Sequence, residues 1–179
     1  MSLIPSASQT VGPFFNFALT PDARLGVLAG EGAEGDRISL ALRVVDGDGA
    51  PTPGDSMIEL WQADARGRYT HGLDPNFRGF GRLETDPNGE CIFETVKPGP
   101  VDGQAPHINV IVFARGLLKQ LYTRVYFEGE AANAHDPVLA LVPKDRRSTL
   151  LARPVAGRPN AWSIEIRLQG EAETVFFDV

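Results

Sequence analysis

Polar and apolar residues alternate along much of the chain with a period of two. Between Arg37 and Val45 the side chains of Ile38, Leu40, Leu42 and Val44 fall on one face, the pattern of a half-buried strand. Asp46-Gly-Asp-Gly-Ala-Pro51 then supplies a turn, because Gly tolerates positive φ and Pro cannot continue a ladder. Met57–Ala63 predicts a second strand. Phe80–Thr85 and Glu90–Val96 flank Asp86-Pro-Asn-Gly89, and Asn-Gly between two such runs predicts a hairpin. The mostly apolar run His107–Ala114 predicts a central strand, and Gln120–Glu128 follows it, rich in β-branched and aromatic residues. Leu150–Val155 is expected to pair with Ala161–Gln169, and Thr174–Asp178 to close the chain as a last strand. Helical character is confined to Glu130–Leu141 and the stretch after Thr20, both short. Gly26–Asp36 reads as a flexible, acidic loop. Strands separated by frequent turn clusters, without repeats or a linker, predict an all-β antiparallel sandwich or barrel in one domain.

Composition narrows the chemistry. The 179 residues are 42% hydrophobic and 22% charged, which excludes wholesale disorder. Seventeen basic against 23 acidic residues leave a net charge of -6, and no basic block offers itself to nucleic acid or an anionic membrane. No apolar run is long enough to cross a bilayer. Met1–Thr10 lacks the basic and apolar regions of a secretion signal, and a lone Cys suits a reducing compartment, so a cytoplasmic protein is expected. Three histidines (His71, His107, His135) and Cys91 exclude a disulfide scaffold or a Cys- or His-rich metal module on this chain alone.

Several motifs dissolve in context. Gly30-Glu-Gly-Ala-Glu-Gly35 has the GxGxxG spacing, but no strand precedes it and no helix follows. Asp46-x-Asp48-Gly begins like a calcium loop, yet Ala50 and Pro51 stand where a ligand and the turn glycine belong. GxSxG and HExxH are absent. His107 and Asn109 open the central strand and point to the same face. A second histidine at Asn109 would make a two-imidazole metal pair, whereas Asn is a poor ligand, so His107 reads as a hydrogen-bonded core or rim residue. His71 and His135 read as surface residues. Arg115, just past the strand, either ends in a structural salt bridge or offers a carboxylate its bidentate fork. Ser8–Phe15 combines a polar cluster, a turn and the rings of Phe14 and Phe15, a terminus to be anchored against the core or a partner.

Taken in order, Ser8-Gln-Thr-x-Gly-Pro13, Leu60-Trp-Gln-Ala-Asp64, Gly67-x-Tyr69, Thr95-Val-Lys-Pro-Gly99 and Ala105-Pro-His-Ile108 resemble the intradiol ring-cleavage dioxygenases. Phe113-Ala-Arg-Gly116, Leu121-x-Thr-Arg-x-Tyr-Phe127 and Gln169-Gly-Glu-x-Glu-Thr-Val-Phe-Phe-Asp178 are similar to the alpha chains of those members that are built from alpha and beta chains. The resemblance runs from Ser8 to Val179. It implies a β-sandwich of two mixed sheets in a single domain over residues 1–179, with 1–20 an arm that reaches the partner chain. It further implies an iron-bearing beta chain holding Fe(III) through two tyrosines and two histidines, in a symmetric oligomer of alpha–beta units. That assembly cleaves protocatechuate between its two hydroxyls with O2, giving β-carboxy-cis,cis-muconate. In this chain Tyr69 and His107 match ligand positions, whereas Asn109 and Val101 stand at the other two. The resemblance therefore implies an iron-free chain with no catalytic or metal-binding residue of its own and with Tyr69 and His107 as remnants. Thr10, Gly12, Pro13 and Arg115 match residues that line the partner's substrate pocket. An intradiol enzyme carrying its own iron for catechol or hydroxyquinol is opposed by Asn109 and Val101. A non-catalytic sandwich binding module leaves the C-terminal motif unexplained.

Overall fold

The computed structural model describes residues 7–10, 12, 17–52, 56–69 and 74–179. The described residues form eight strands: β1 (Arg37–Val45), β2 (Met57–Gln62), β3 (Phe80–Glu84), β4 (Glu90–Val96), β5 (His107–Phe113), β6 (Leu121–Phe127), β7 (Leu151–Pro154) and β8 (Ala161–Arg167). They lie in the order β3-β2-β5-β6-β7-β8-β1-β4. The segment predicted to be helical splits into a 3-10 turn, Ala131–His135, and one short helix, α1 (Pro137–Leu141), whose amides Asp136 caps. A further 3-10 turn, Ala23–Gly26, follows Thr20.

The period-two pattern decides which face is buried. Leu40, Leu42 and Val44 of β1, Ile58 and Leu60 of β2, Ile108, Val110 and Val112 of β5, and Ile164 and Ile166 of β8 share one core. The two four-strand halves meet through it, while β6 and β7 join them by only two residue pairs. β5 is central in its half, between β2 and β6. Buried Gln62 ties the halves again: its Nε2 donates to Val96 O at 2.9 Å and its Oε1 accepts from Thr95 Oγ1 at 2.9 Å.

Four expectations change. The strand order is mixed, as the family resemblance implied, and not antiparallel throughout as the strand pattern alone suggested, since β1–β8 and β6–β7 run parallel. The Asp86–Gly89 turn forms, with Gly89 at φ 76° and Gly89 N donating to Asp86 O at 2.9 Å, but its strands do not pair. β3 pairs with β2 and β4 with β1. The turn carries the chain across the core, because β3 and β4 bury side chains toward each other. A Cβ at Gly81 would meet Leu28 at 2.5 Å and Phe93 at 3.0 Å. The Thr174–Asp178 segment makes a single bridge, Tyr122 with Phe177, rather than a strand. Finally, the Gly26–Asp36 loop is half core: Leu28 and Ala29 are buried, and the Arg37 guanidinium donates to Gly30 O and Ala29 O at 2.7 and 2.8 Å. The glycines made it read as flexible, but two backbone carbonyls are held by one arginine.

Candidate functional site

β5 carries candidate residues at both its ends. Ile108, Val110 and Val112 face the main core, so His107, Asn109 and Ile111 lie on the opposite face of the sheet beside β6, where their cross-strand partners are Tyr126, Arg124 and Tyr122.

At the start of β5, Tyr69 arrives on a tightly wound loop. Asp64 Oδ1 accepts from the amides of Arg66 and Arg68 at 2.9 Å each, and its Oδ2 accepts from Arg68 Nη2 at 2.8 Å. Burial works against the Asp64 carboxylate, but these Arg68 and Arg66 hydrogen bonds hold its pKa below the usual carboxylate range. Gly67 has φ 76°, and a Cβ there would collide with Pro100 O. The Tyr69 loop and the Gly99 turn thus interlock through backbone that only glycine permits. Tyr69 Oη then accepts from Asn109 Nδ2 at 3.0 Å.

His107 is 3% exposed, and its Nδ1 pairs with Ala105 O at 2.8 Å. Burial first, and the Arg124 charge after it, hold the imidazole below its ordinary pKa against the opposing pull of Ala105 O and Asp136. Sequence reasoning missed the network behind it. Arg124 Nη1 donates to Gln104 Oε1 at 2.6 Å and lies 3.4 Å from Tyr126 Oη. Tyr126 Oη donates to Asp136 Oδ1 at 3.1 Å, and Asp136 Oδ2 accepts from Ala105 N at 2.8 Å. Burial raises the Tyr126 phenol to about 12. The signal was present as Tyr122, Arg124 and Tyr126 at period two, which puts a cation on the face of His107. The Asp102-Gly103 turn, with φ 46° and 77°, brings Gln104 back against Val101 to complete the network.

These residues do not fit a ferric ion. Val101 offers no donor atom, Asn109 spends its amide on Tyr69, and Arg124 sets a cation beside His107, whereas ferric iron requires anionic or imidazole donors.

Past the other end of β5, Arg115 is exposed in a turn with Gly116 at φ 96°. Gly116 N donates to Thr10 Oγ1 at 2.7 Å, so a residue of the N-terminal segment is fastened next to Arg115. A pocket of ≈ 170 Å³ lies between Gln9 and the Phe113–Gln120 segment. Gly12 is exposed, while Pro13, Phe14, Phe15 and His71 lie outside the described residues. His135 is exposed, as expected. The remnant positions and the Arg115 turn are separated by the length of β5, roughly 20 Å for six steps of strand. A larger cleft of ≈ 900 Å³, which no motif indicated, runs between Arg24, Asn76, Arg78 and the paired rings of Trp61 and Phe80.

A family profile described as "Dioxygenase" matches residues 11–170. The protocatechuate 3,4-dioxygenase alpha chain of Burkholderia cepacia is 43% identical over 99% of both chains. The protocatechuate 3,4-dioxygenase beta chain of that organism is 34% identical, over 81% of this chain and 64% of its own length. Among solved structures, the dioxygenase domain of a carbohydrate-binding fusion protein from Streptomyces sp. SirexAA-E superposes with TM-score 0.67 and 26% identity, over 93% of this chain and 99% of that one. Eight strands in this order, a Gly-locked tyrosine loop and likeness over the whole chain agree: the chain belongs to the intradiol ring-cleavage dioxygenase family.

Proposed function

We propose that this chain is the iron-free alpha subunit of a hetero-oligomeric dioxygenase that inserts both atoms of O2 into protocatechuate. The ring opens between the two hydroxyl carbons to give β-carboxy-cis,cis-muconate. In this reading the chain is a single two-layer sandwich domain of the cytoplasm, and residues 1–20 are an arm reaching an iron-bearing beta chain. The alpha-chain and beta-chain relatives support that partner, in a symmetric oligomer of alpha–beta units. Fe(III) and the chemistry it supplies are the partner's. The part of this chain is to shape the pocket with Thr10, Gly12, Pro13 and Arg115.

The hydrogen bond from Gly116 N to Thr10 Oγ1 carries this reading. It fastens the arm to the turn that bears Arg115, so that arm and cation arrive together at one edge. The substrate is an anion through its carboxylate, and a guanidinium matches two carboxylate oxygens in geometry and charge. A charge-assisted hydrogen bond is worth about 1.5–3 kcal/mol, so Arg115→Ala in the assembled enzyme is expected to lower kcat/KM for protocatechuate by about 10–100-fold. Catechol, which lacks the carboxylate, is expected to lose far less. Equal losses on both substrates would overturn the carboxylate role.

A further inference from the structure

The turn between β3 and β4 carries a reactive dipeptide. Of the six asparagines, only Asn88 is followed by a glycine, which lacks the Cβ that elsewhere shields the amide nitrogen after an asparagine. The fold makes that glycine obligatory, because Gly89 has φ 76° and a Cβ there would collide with Val44 O. Asn88 is exposed, so burial does not protect its side chain. Hydrogen bonds restrain it instead. Gly89 N donates to Asp86 O at 2.9 Å, and Gly89 O accepts from Val44 N at 2.8 Å. Asp86 Oδ1 accepts from Asn88 N at 2.8 Å and from Glu90 N at 2.9 Å, while its Oδ2 accepts from Asn88 Nδ2 at 3.2 Å. Asp86 therefore holds both the amide nitrogen of Gly89 and the carboxamide that this nitrogen could attack. The Glu90 amide first, and Asn88 after it, keep the Asp86 carboxyl below its ordinary pKa against desolvation. An ionised carboxylate in the same turn disfavours loss of a proton from the Gly89 amide.

We propose that Asn88 is a site of spontaneous deamidation, closed by the folded turn and opened by unfolding. In the unfolded chain Gly89 N attacks Asn88 Cγ. The new N–C bond forms as the Cγ–Nδ2 bond breaks, and the proton of Gly89 N leaves with Nδ2 as ammonia. Water then opens the cyclic succinimide. Attack at Cγ gives aspartate, and attack at the backbone carbonyl gives isoaspartate, whose main chain runs through Cγ. Neither product suits the turn. Both replace Nδ2, a donor to Asp86, with a carboxylate close to Asp86 and Glu90. Isoaspartate also adds a backbone carbon just ahead of the Gly89 O contact with Val44 N, from which β4 runs in register with β1. A chain modified while unfolded refolds poorly, so unfolding becomes irreversible with time. Nothing in this depends on the family reading or on the roles of Arg115 and the arm.

The test uses the full chain in mildly alkaline buffer, native and in unfolding urea, with released ammonia and isoaspartate at Asn88 followed by peptide mapping. The unfolded chain is expected to convert Asn88 at least about 100-fold faster than the native one, because the clamped turn must open before the ring can close. Similar rates in both states, or earlier conversion at another asparagine, overturn the proposal. Asp86→Ala, shown to be folded by its melting curve, should raise the native rate by about 10-fold or more, since only the clamp is lost. An unchanged rate in that folded variant overturns the protection assigned to Asp86. Should Asp86→Ala not fold, the comparison of native and unfolded wild-type chain decides alone. Refolding yield after increasing times in urea completes the test. It should fall in the wild-type chain in step with isoaspartate and hold steady in Asn88→Ser, and equal losses in both overturn the link to irreversibility.

Discussion

Asp136 is the buried anchor of the site, and Asp136→Ala is the perturbation that measures it. Its carboxylate accepts from Ala105 N at 2.8 Å, Val138 N at 2.9 Å, Leu139 N at 2.6 Å and Tyr126 Oη at 3.1 Å. Loss of the α1 N-cap costs about 1 kcal/mol. Stranding the buried Ala105 amide adds about 1–3 kcal/mol. The Tyr126 hydroxyl, still near Arg124, adds less. Against this, alanine needs no desolvation of a buried charge, which returns part of the sum. The expected net loss is about 2–4 kcal/mol.

Equilibrium urea unfolding reads that loss directly. With a slope of about 2 kcal/mol/M, the midpoint should fall by about 1–2 M at unchanged slope. Asp136→Asn should fall between: one oxygen still caps α1, while its amide meets the Ala105 N–H donor to donor. A fall of less than about 0.3 M for Asp136→Ala, or an equal fall for both variants, would refute the reasoning.

Two further outcomes follow from backbone and burial. Gly67→Ala must accept both φ 76° and a Cβ collision with Pro100 O, whereas Gly103→Ala keeps φ 77° with nothing within 4 Å of the added carbon. Thermal melts should show the first to be clearly more damaging, by about 1–3 kcal/mol of overpacking, and equal melting temperatures would remove the interlock argument. Burial first, then the negative charge of Asp86, push the Cys91 thiol up to about 12. The native chain should resist a disulfide reagent at pH 8 and react on unfolding. Because the folded pKa is raised, this contribution is present below about 8.5, the unfolded value, and is lost as pH rises toward 12. Rapid labelling of the native chain would contradict the burial.

Strands were legible wherever alternation set the buried face. The bounds read for Arg37–Val45 and Glu90–Val96 coincide with β1 and β4, because Ile38 to Val44 and the Cys91, Phe93 and Thr95 side chains could only point one way. Partner choice was legible for β7 and β8, which pair as expected, but not for the strands flanking the Asp86–Gly89 turn. Asn88-Gly89 encodes a reversal of direction, and nothing local says whether the two strands will pair or straddle a core. That decision lies with Gly81, Leu28 and Phe93, distant in sequence and in contact only after folding. The candidate site divides the same way. His107, Asn109 and Tyr69 were visible as residue types at known spacing. The Gln104–Arg124–Tyr126–Asp136 chain was not, because its members come from a turn, a strand and a helix cap.

That network shows how a polar pocket can be satisfied from within. Each buried polar group left without a partner costs free energy. Here the groups pair with one another: Asn109 with Tyr69, Arg124 with Gln104, Tyr126 with Asp136, His107 with Ala105. Among the described residues only Asn133 Oδ1, at the turn before α1, is a buried side-chain atom without a partner. The pocket at the start of β5 is therefore closed on itself and satisfied. Changing Asn109 alone would cost Tyr69 its hydrogen bond while Arg124 stayed in place. The cation at the far end of β5 is different in kind, because Arg115 stands exposed on a turn fastened to Thr10. Arg124 on β6 is half-buried with Gln104 and Tyr126 as partners, and Arg115 past the end of β5 stands at the surface.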